Sequence, residues 1–222
     1  FLKRNRTDSK HLERLEDYKK WEFGFYSGYP NKTISNFENS FKISLDHLNI
    51  GITCLNSSWL CKDDKDREQL IIGKNQIEES VSFLGDCDLK FCLTHHPVEF
   101  LTEFDRNAIK SELYKNYNAF FTGHVHELSS SYTQDLYGDI FISIANSTIG
   151  DNPIERKFVN GYTVIEFTSS ESITATYRSF VEEANVFVPN TSIGEENGIK
   201  KFQVLKNETL KKYEKVLSII ES

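Results

Sequence analysis

No methionine occurs among the 222 residues, and the chain opens Phe1-Leu2-Lys3-Arg4. A native start carries an initiator methionine or a processed signal, so residue 1 reads as lying downstream of the biological N-terminus. No signal peptide is visible, and no apolar run approaches the length of a membrane-spanning helix. None of the four cysteines, Cys54, Cys61, Cys87 and Cys92, forms a CxxC pair. Cys54 and Cys92 sit in apolar strand-like runs, where cysteine is usually a small buried hydrophobe. A chain of this size needs no disulfide framework. The usage fits a reducing compartment, and the chain reads as cytoplasmic. Basic residues are not in excess either: the formal net charge is −7, against a surface that coats nucleic acid. A phosphate-bearing substrate is still allowed, because a bound metal ion supplies local positive charge. There is no internal repeat and no low-complexity tract.

What is present suffices for a core. Hydrophobic residues make up 38% of the chain and aromatic residues 13%, enough for one sizeable domain or a domain with an appendage. Two strings stand out: Thr94-His95-His96-Pro97 and Gly123-His124-Val125-His126. Each follows a short apolar run that reads as a buried strand, Leu89 to Leu93 and Ala119 to Phe121. Between them, Glu103 to Lys115 has helical character. In a right-handed crossover the carboxyl ends of both strands open on one edge of the sheet. Four of the six histidines would then meet at one place. Neutral imidazole is the commonest protein ligand for a transition metal.

The rest of the chain supports a mixed α/β reading. Residues 8–21 have a helical apolar face of Leu12, Leu15, Tyr18 and Trp21. Residues 22–40 read as an aromatic, Gly- and Asn-rich loop. Phe41 to Leu45 and Ile50 to Leu55 form a hairpin candidate around Asp46 to Asn49. Lys74 to Leu84 is a second helix, with Ile77, Val81 and Leu84 on one face. Leu128 to Tyr132, Ile140 to Ile144, Tyr162 to Phe167 and Ile173 to Phe180 read as consecutive antiparallel strands. Residues 185–199 read as a linker. Residues 207–221 read as an amphipathic helix with Leu210, Tyr213, Leu217 and Ile220 on its stripe, where a partner domain or a second copy would dock. The domain expectation is therefore 1–184 plus a 185–222 appendage.

In the second string, histidines at i and i+2 can approach two neighbouring metal ions from one short segment. In the first, Pro97 pushes His96 into extended geometry. Adjacent residues leaving a strand point opposite ways, so one of His95 and His96 is expected as a primary ligand. Two solvated loop histidines is the bland reading of either string taken singly. Their occurrence in order, one helix and one strand apart, is what raises the metal reading above it.

Together with the hairpin, Leu55-Asn56-Ser57-Ser58-Trp59 and the helix near Gly73-Lys74-Asn75-Gln76, the two strings resemble the C-terminal part of a calcineurin-like metallophosphoesterase. The resemblance runs over most of residues 40–180. It implies a four-layer α-β-β-α sandwich with two mixed sheets, and hydrolysis of phosphate mono- or diesters by a hydroxide bridging two metal ions (manganese, iron or zinc). By position, His95 and His124 resemble ligands of the second metal and His126 a ligand of the first. His96 has no liganding counterpart and is expected to support a ligand or the structure.

The family also uses Asp-x-His, Gly-Asp and Gly-Asn-His strings, and none occurs here. The expectation is that the N-terminal strand–helix units are missing and that this chain alone is inactive. A degenerate, non-catalytic binding module of the same fold is the competing expectation, and a nuclease of the same superfamily the third. Asp105 reads as a helix cap or a cleft residue, Glu127 as a surface carboxylate or a support to a histidine of the second string, and Trp59 with the aromatics of 21–41 as core or lid packing. The alternating charges of residues 62–67 read as a solvated loop.

Overall fold

A computed structural model describes residues 10–46, 48–63, 65–146, 160–169 and 172–204. A 3-10 turn, Lys10–Leu15, leads into α1, Glu16–Phe25. The first sheet then begins with β1 (Lys32–Ile34), β2 (Glu38–Leu45) and β3 (Leu48–Leu55). After α2 (Lys74–Leu84) come β4 (Leu89–Thr94), α3 (Glu103–Asn116) and β5 (Ala119–Thr122). The hairpin β6 (Ser129–Asp135) and β7 (Gly138–Ile144) completes this sheet. The second sheet holds β8 (Gly161–Ser169), β9 (Ser172–Val181), β10 (Val186–Pro189) and β11 (Ile199–Gln203).

The seven-stranded sheet runs β1-β2-β3-β4-β5-β7-β6. It is mixed: β3, β4, β5 and β7 are parallel neighbours, and both ends are antiparallel. Alternation of side chains across the pleat gives β5 and β7 buried residues on both faces. Phe120 and Ile140 face the helices, joining Ile77 and Leu84 of α2 and Ile109 and Leu113 of α3. Ala119, Phe121 and Phe141 face the other way, against Ile173, Ala175, Tyr177 and Phe202 of the second sheet. The described residues thus supply three of the four expected layers: helix, sheet, sheet.

Several sequence expectations change here. The second sheet is antiparallel in every described pairing rather than mixed. β7 does not pair with β8, because β5 and β6 already occupy both of its edges. The chain must change sheets, so the four strands are two hairpins and not one meander. Residues 185–199 carry β10 and the approach to β11 rather than a linker. β8 covers one edge of β9, while β10 and β11 share the other, paired to 178–181 and 172–176. Their Pro, Asn and Gly content serves the turn between those two strands, where Gly198 at φ +70° lies against Tyr177 O. The loop expected over 22–40 is shorter. α1 runs on to Phe25, and β2 starts at Glu38 after a turn in which Ser35 Oγ accepts from the N–H of Phe37 (3.1 Å) and Glu38 (3.0 Å). Trp59 is buried against Phe37 as expected. Trp21 and Phe25 instead stack on each other at the surface. The expected helix over 207–221 lies outside the described residues. No helix among the described residues is long and apolar enough to cross a membrane.

Candidate metal centre

β4 and β5 are parallel neighbours, with Phe91 opposite Ala119 and Leu93 opposite Phe121. Their carboxyl ends therefore open together, and the two histidine strings leave from the same edge. The Gly123 N–H donates to His95 O at 3.0 Å, which ties the two loops directly. His124 and His126 both adopt left-handed backbone, at φ 65° and 56°. That conformation costs an L-residue roughly 1–2 kcal/mol and clusters at functional sites.

The side chains converge. His95 Nε2 and His124 Nδ1 are 3.1 Å apart. The His96 ring centroid is 4.6 Å from that of His95 and 4.4 Å from that of His124. One ligand atom from each of His95, His96 and His124 lies within 4.8 Å of the other two. His126 is not in this group, although its charge is felt at His95. So two of the three expected ligands meet, together with the histidine expected to support them.

His96 is buried, while His95 is exposed, as opposite side-chain directions require. Yet both rings reach His124. Ser57 explains how the buried ring is held. Its Oγ accepts from the His96 backbone N–H (3.1 Å) and sits 2.9 Å from His96 Nδ1. A hydroxyl can donate or accept at Nδ1, so it serves either tautomer. The other ring nitrogen, Nε2, is 3.7 Å from Cys61 Sγ. Thr94 Oγ1 donates to His96 O at 2.7 Å, and Phe100 packs edge-on against His124 at 4.7 Å between centroids.

Desolvation, reinforced by neighbouring imidazoles, favours the neutral forms of His95 and His96. His95 is lowered by desolvation and then by His126. His96 is lowered to about 4, first by desolvation and then by His124 and His95. A neutral imidazole offers a lone pair, and three histidine rings suit one transition-metal ion. No carboxylate joins the group among the described residues. The donor set fits a metal ion. A bridged pair of ions would need donors beyond it.

A cavity of about 390 Å³ opens beside His95. α1 walls it with Tyr18 and Lys19, and Asn39, Asn56 and Ser57 line the sheet side. Glu22 is buried there and accepts from Asn39 Nδ2 (2.6 Å) and from Lys19.

No family model matches the chain, and no curated protein matches it. Among solved structures it is similar to a hypothetical protein from Thermus thermophilus, at 8% identity and TM-score 0.37, over 76% of this chain and 62% of that one. It is also similar to two mutant forms of Vps29 from Entamoeba histolytica. The double mutant gives 14% identity and TM-score 0.28, the single mutant 12% and 0.27, each over 76% of this chain and 61% of the other. The chain thus spans about three-fifths of the length of these structures. Likenesses this distant assign neither family nor activity.

Other residues fall into plainer roles. Asp105 is neither a solvated cap nor a cleft residue. It is buried and accepts from the N–H of Ile72 (2.6 Å) and Gly73 (3.1 Å). Glu127 is exposed. In the 62–67 loop, Asp66 is buried and accepts from Lys62 N at 2.7 Å. The sequence assigns no role to Phe100, and gives Ser57 only a place in the Leu55–Trp59 string. The available signal was register: Leu55 pairs with Thr94, so Ser57 and His96 both stand two residues beyond a paired position.

Proposed function

We propose that this chain carries part of the metal centre of a hydrolase acting on phosphate mono- or diesters. The observation that carries the reading is the meeting of His95, His96 and His124 at the shared carboxyl edge of β4 and β5. His95 and His124 would hold a metal ion, and His126 a second. When bound, such ions supply Lewis acidity toward a phosphoryl oxygen and toward water. His96, fixed by Ser57, keeps the neighbouring rings in place. Phe100 fixes the plane of His124. The cavity beside His95 receives the organic group of the ester. A two-ion centre also requires carboxylate donors beyond this histidine group, and the metallophosphoesterase resemblance implies strings that supply them.

The competing reading is a binding module on the same scaffold. The absence of a carboxylate from the described histidine group favours it. Elemental analysis combined with an assay of an aryl phosphate diester, with manganese, iron and zinc each supplied, separates the two. Bound metal with turnover that falls in His95→Ala supports the hydrolase. Bound metal with no turnover, in a protein that includes the upstream donors, supports the binding module.

A further inference from the structure

The cavity beside His95 is lined by an acceptor that the protein leaves unused. Asn39 lines it and is only 9% exposed. Its Nδ2 donates to Glu22 Oε1 at 2.6 Å. A carboxylate only accepts, which fixes the end of the amide that faces Glu22. Asn39 Oδ1 is the other end. It is buried and takes no hydrogen bond among the described residues. A buried polar atom in that state calls for a partner.

The neighbouring groups narrow what that partner is. Tyr18 and Lys19 already donate to Glu22, and Asn56 Nδ2 donates to Asn36 O at 3.0 Å. Glu38 adds a second buried carboxylate to the lining. The wall is rich in acceptors, so it suits a ligand that brings N–H or O–H. Tyr18 lines the cavity yet stays 55% exposed, and its ring stands 5.7 Å from that of Trp21 between centroids. Aromatic rings so placed are a platform on which a flat base stacks. Asn39 pairs with Cys54, and Cys54 with Leu93, two residues before His95. Two strand spacings and two residues of rise put Asn39 about 11 Å from His95 by backbone. A nucleotide spans such a distance from its phosphate to the far edge of its base.

We propose that this cavity takes a nucleobase carrying an exocyclic amine, with Asn39 Oδ1 accepting from the amine and Tyr18 stacked on the ring. The ligand is then a nucleoside phosphate ester whose phosphate lies toward His95. This names the substrate class of the hydrolase reading, and it rests on that reading at the phosphate end alone. Adenine and cytosine present an amine that amide oxygens and carboxylates recognise. Inosine and uridine present an oxygen at the same place, which would set acceptor against acceptor and leave Asn39 Oδ1 unsatisfied.

The test is an NMR titration of the chelator-treated 222-residue chain with cytidine, uridine, adenosine, inosine and glucose. None of these carries a phosphate, so the outcome does not depend on whether the centre hydrolyses esters. Cytidine should bind at least about tenfold more tightly than uridine, and adenosine than inosine. Asn39→Leu should erase both preferences. Tyr18→Leu, a change at a half-exposed position, should weaken cytidine and adenosine about tenfold and keep the preferences, a result that stands even where Asn39→Leu does not fold. Equal affinity within each pair, or no binding of any nucleoside, overturns the proposal and leaves Asn39 Oδ1 to a buried water. A preference that survives in folded Asn39→Leu overturns it too, and binding of glucose in place of the nucleosides assigns the cavity to a polyol. Amine preference without ester turnover supports the subsite and refutes the hydrolase reading. Turnover without amine preference does the reverse.

Discussion

His95 Nε2 lies 3.1 Å from His124 Nδ1, although 29 residues separate the two in the chain. At that distance one ring nitrogen can donate a hydrogen bond and the other accept it. A metal ion placed between them would take a lone pair from each nitrogen in place of that hydrogen bond. Replacing either ring removes half of that arrangement.

The first prediction follows from it. Elemental analysis of His95→Ala and His124→Ala should show loss of bound metal relative to the parent protein. If the centre holds two ions, His126→Ala should lose one and keep the other. Unchanged stoichiometry in both His124→Ala and His126→Ala would remove the metal assignment of the second string.

Ser57 should matter beyond its size. Ser57→Ala leaves the buried His96 N–H without its acceptor and frees the ring at Nδ1. An unsatisfied buried donor costs about 1–3 kcal/mol, read by urea unfolding. Loss of a partner that orients a metal-site histidine typically costs about 10–100-fold in metal affinity. A stability loss with unchanged affinity would make Ser57 a structural residue only.

The metal-free protein should weaken in mild acid. His96 titrates at about 4 in the folded protein, below the ordinary 6.5. Between those values the unfolded chain binds a proton that the folded one refuses, so stability rises with pH across this window. His96 therefore contributes fully above about pH 6.5 and loses its contribution as pH falls toward 4. The size is on the order of 1–3 kcal/mol. Chelator-treated protein should show this slope in urea midpoints measured from pH 7 to pH 4. His96→Gln should flatten it.

Asp105 should act as a clamp on the backbone. Its carboxylate accepts from Ile72 and Gly73, just ahead of α2, and burial pushes its own pKa up. Asp105→Asn keeps one acceptor oxygen but sets an amide N–H against a backbone donor in place of the other, while Asp105→Ala removes both acceptors and should cost about 1–3 kcal/mol of stability. Because Leu70 bridges Leu101 nearby, the loss should also loosen the segment that carries His95 to Phe100. Hydrogen exchange of the Leu70 and Thr102 amides would report it, and unchanged protection would refute it.

The parallel core was legible because its signals are local. The run at 89–93, the helix at 103–115 and the run at 119–121 each carry their own period, and the crossover rule joins them. α2 likewise matches Lys74–Leu84. What sequence did not carry depended on partners. No periodicity at Ile144 tells a chain that both edges of β7 are taken. The turn residues of 190–198 look the same in a linker as in the excursion between two strands on one edge. The place of His96 was half legible: its burial follows from strand alternation, but the ring's approach to His124 depends on Ser57, a residue of another strand end.

The 190–198 excursion has a consequence for tolerance to change. Arg178 Nη1 donates to both Tyr177 O and Asn197 O, each at 2.9 Å, and so staples the excursion between β10 and β11 to β9, along which both of those strands lie. The ends of the loop are fixed on one edge of β9, while Thr191, Ser192 and Glu195 face solvent. Closure entropy grows slowly with loop length, so extra residues between Thr191 and Ser192 would lengthen an arc whose feet stay anchored. That makes it a natural place to graft an epitope or a fluorescent reporter, on the sheet that does not carry the histidine centre.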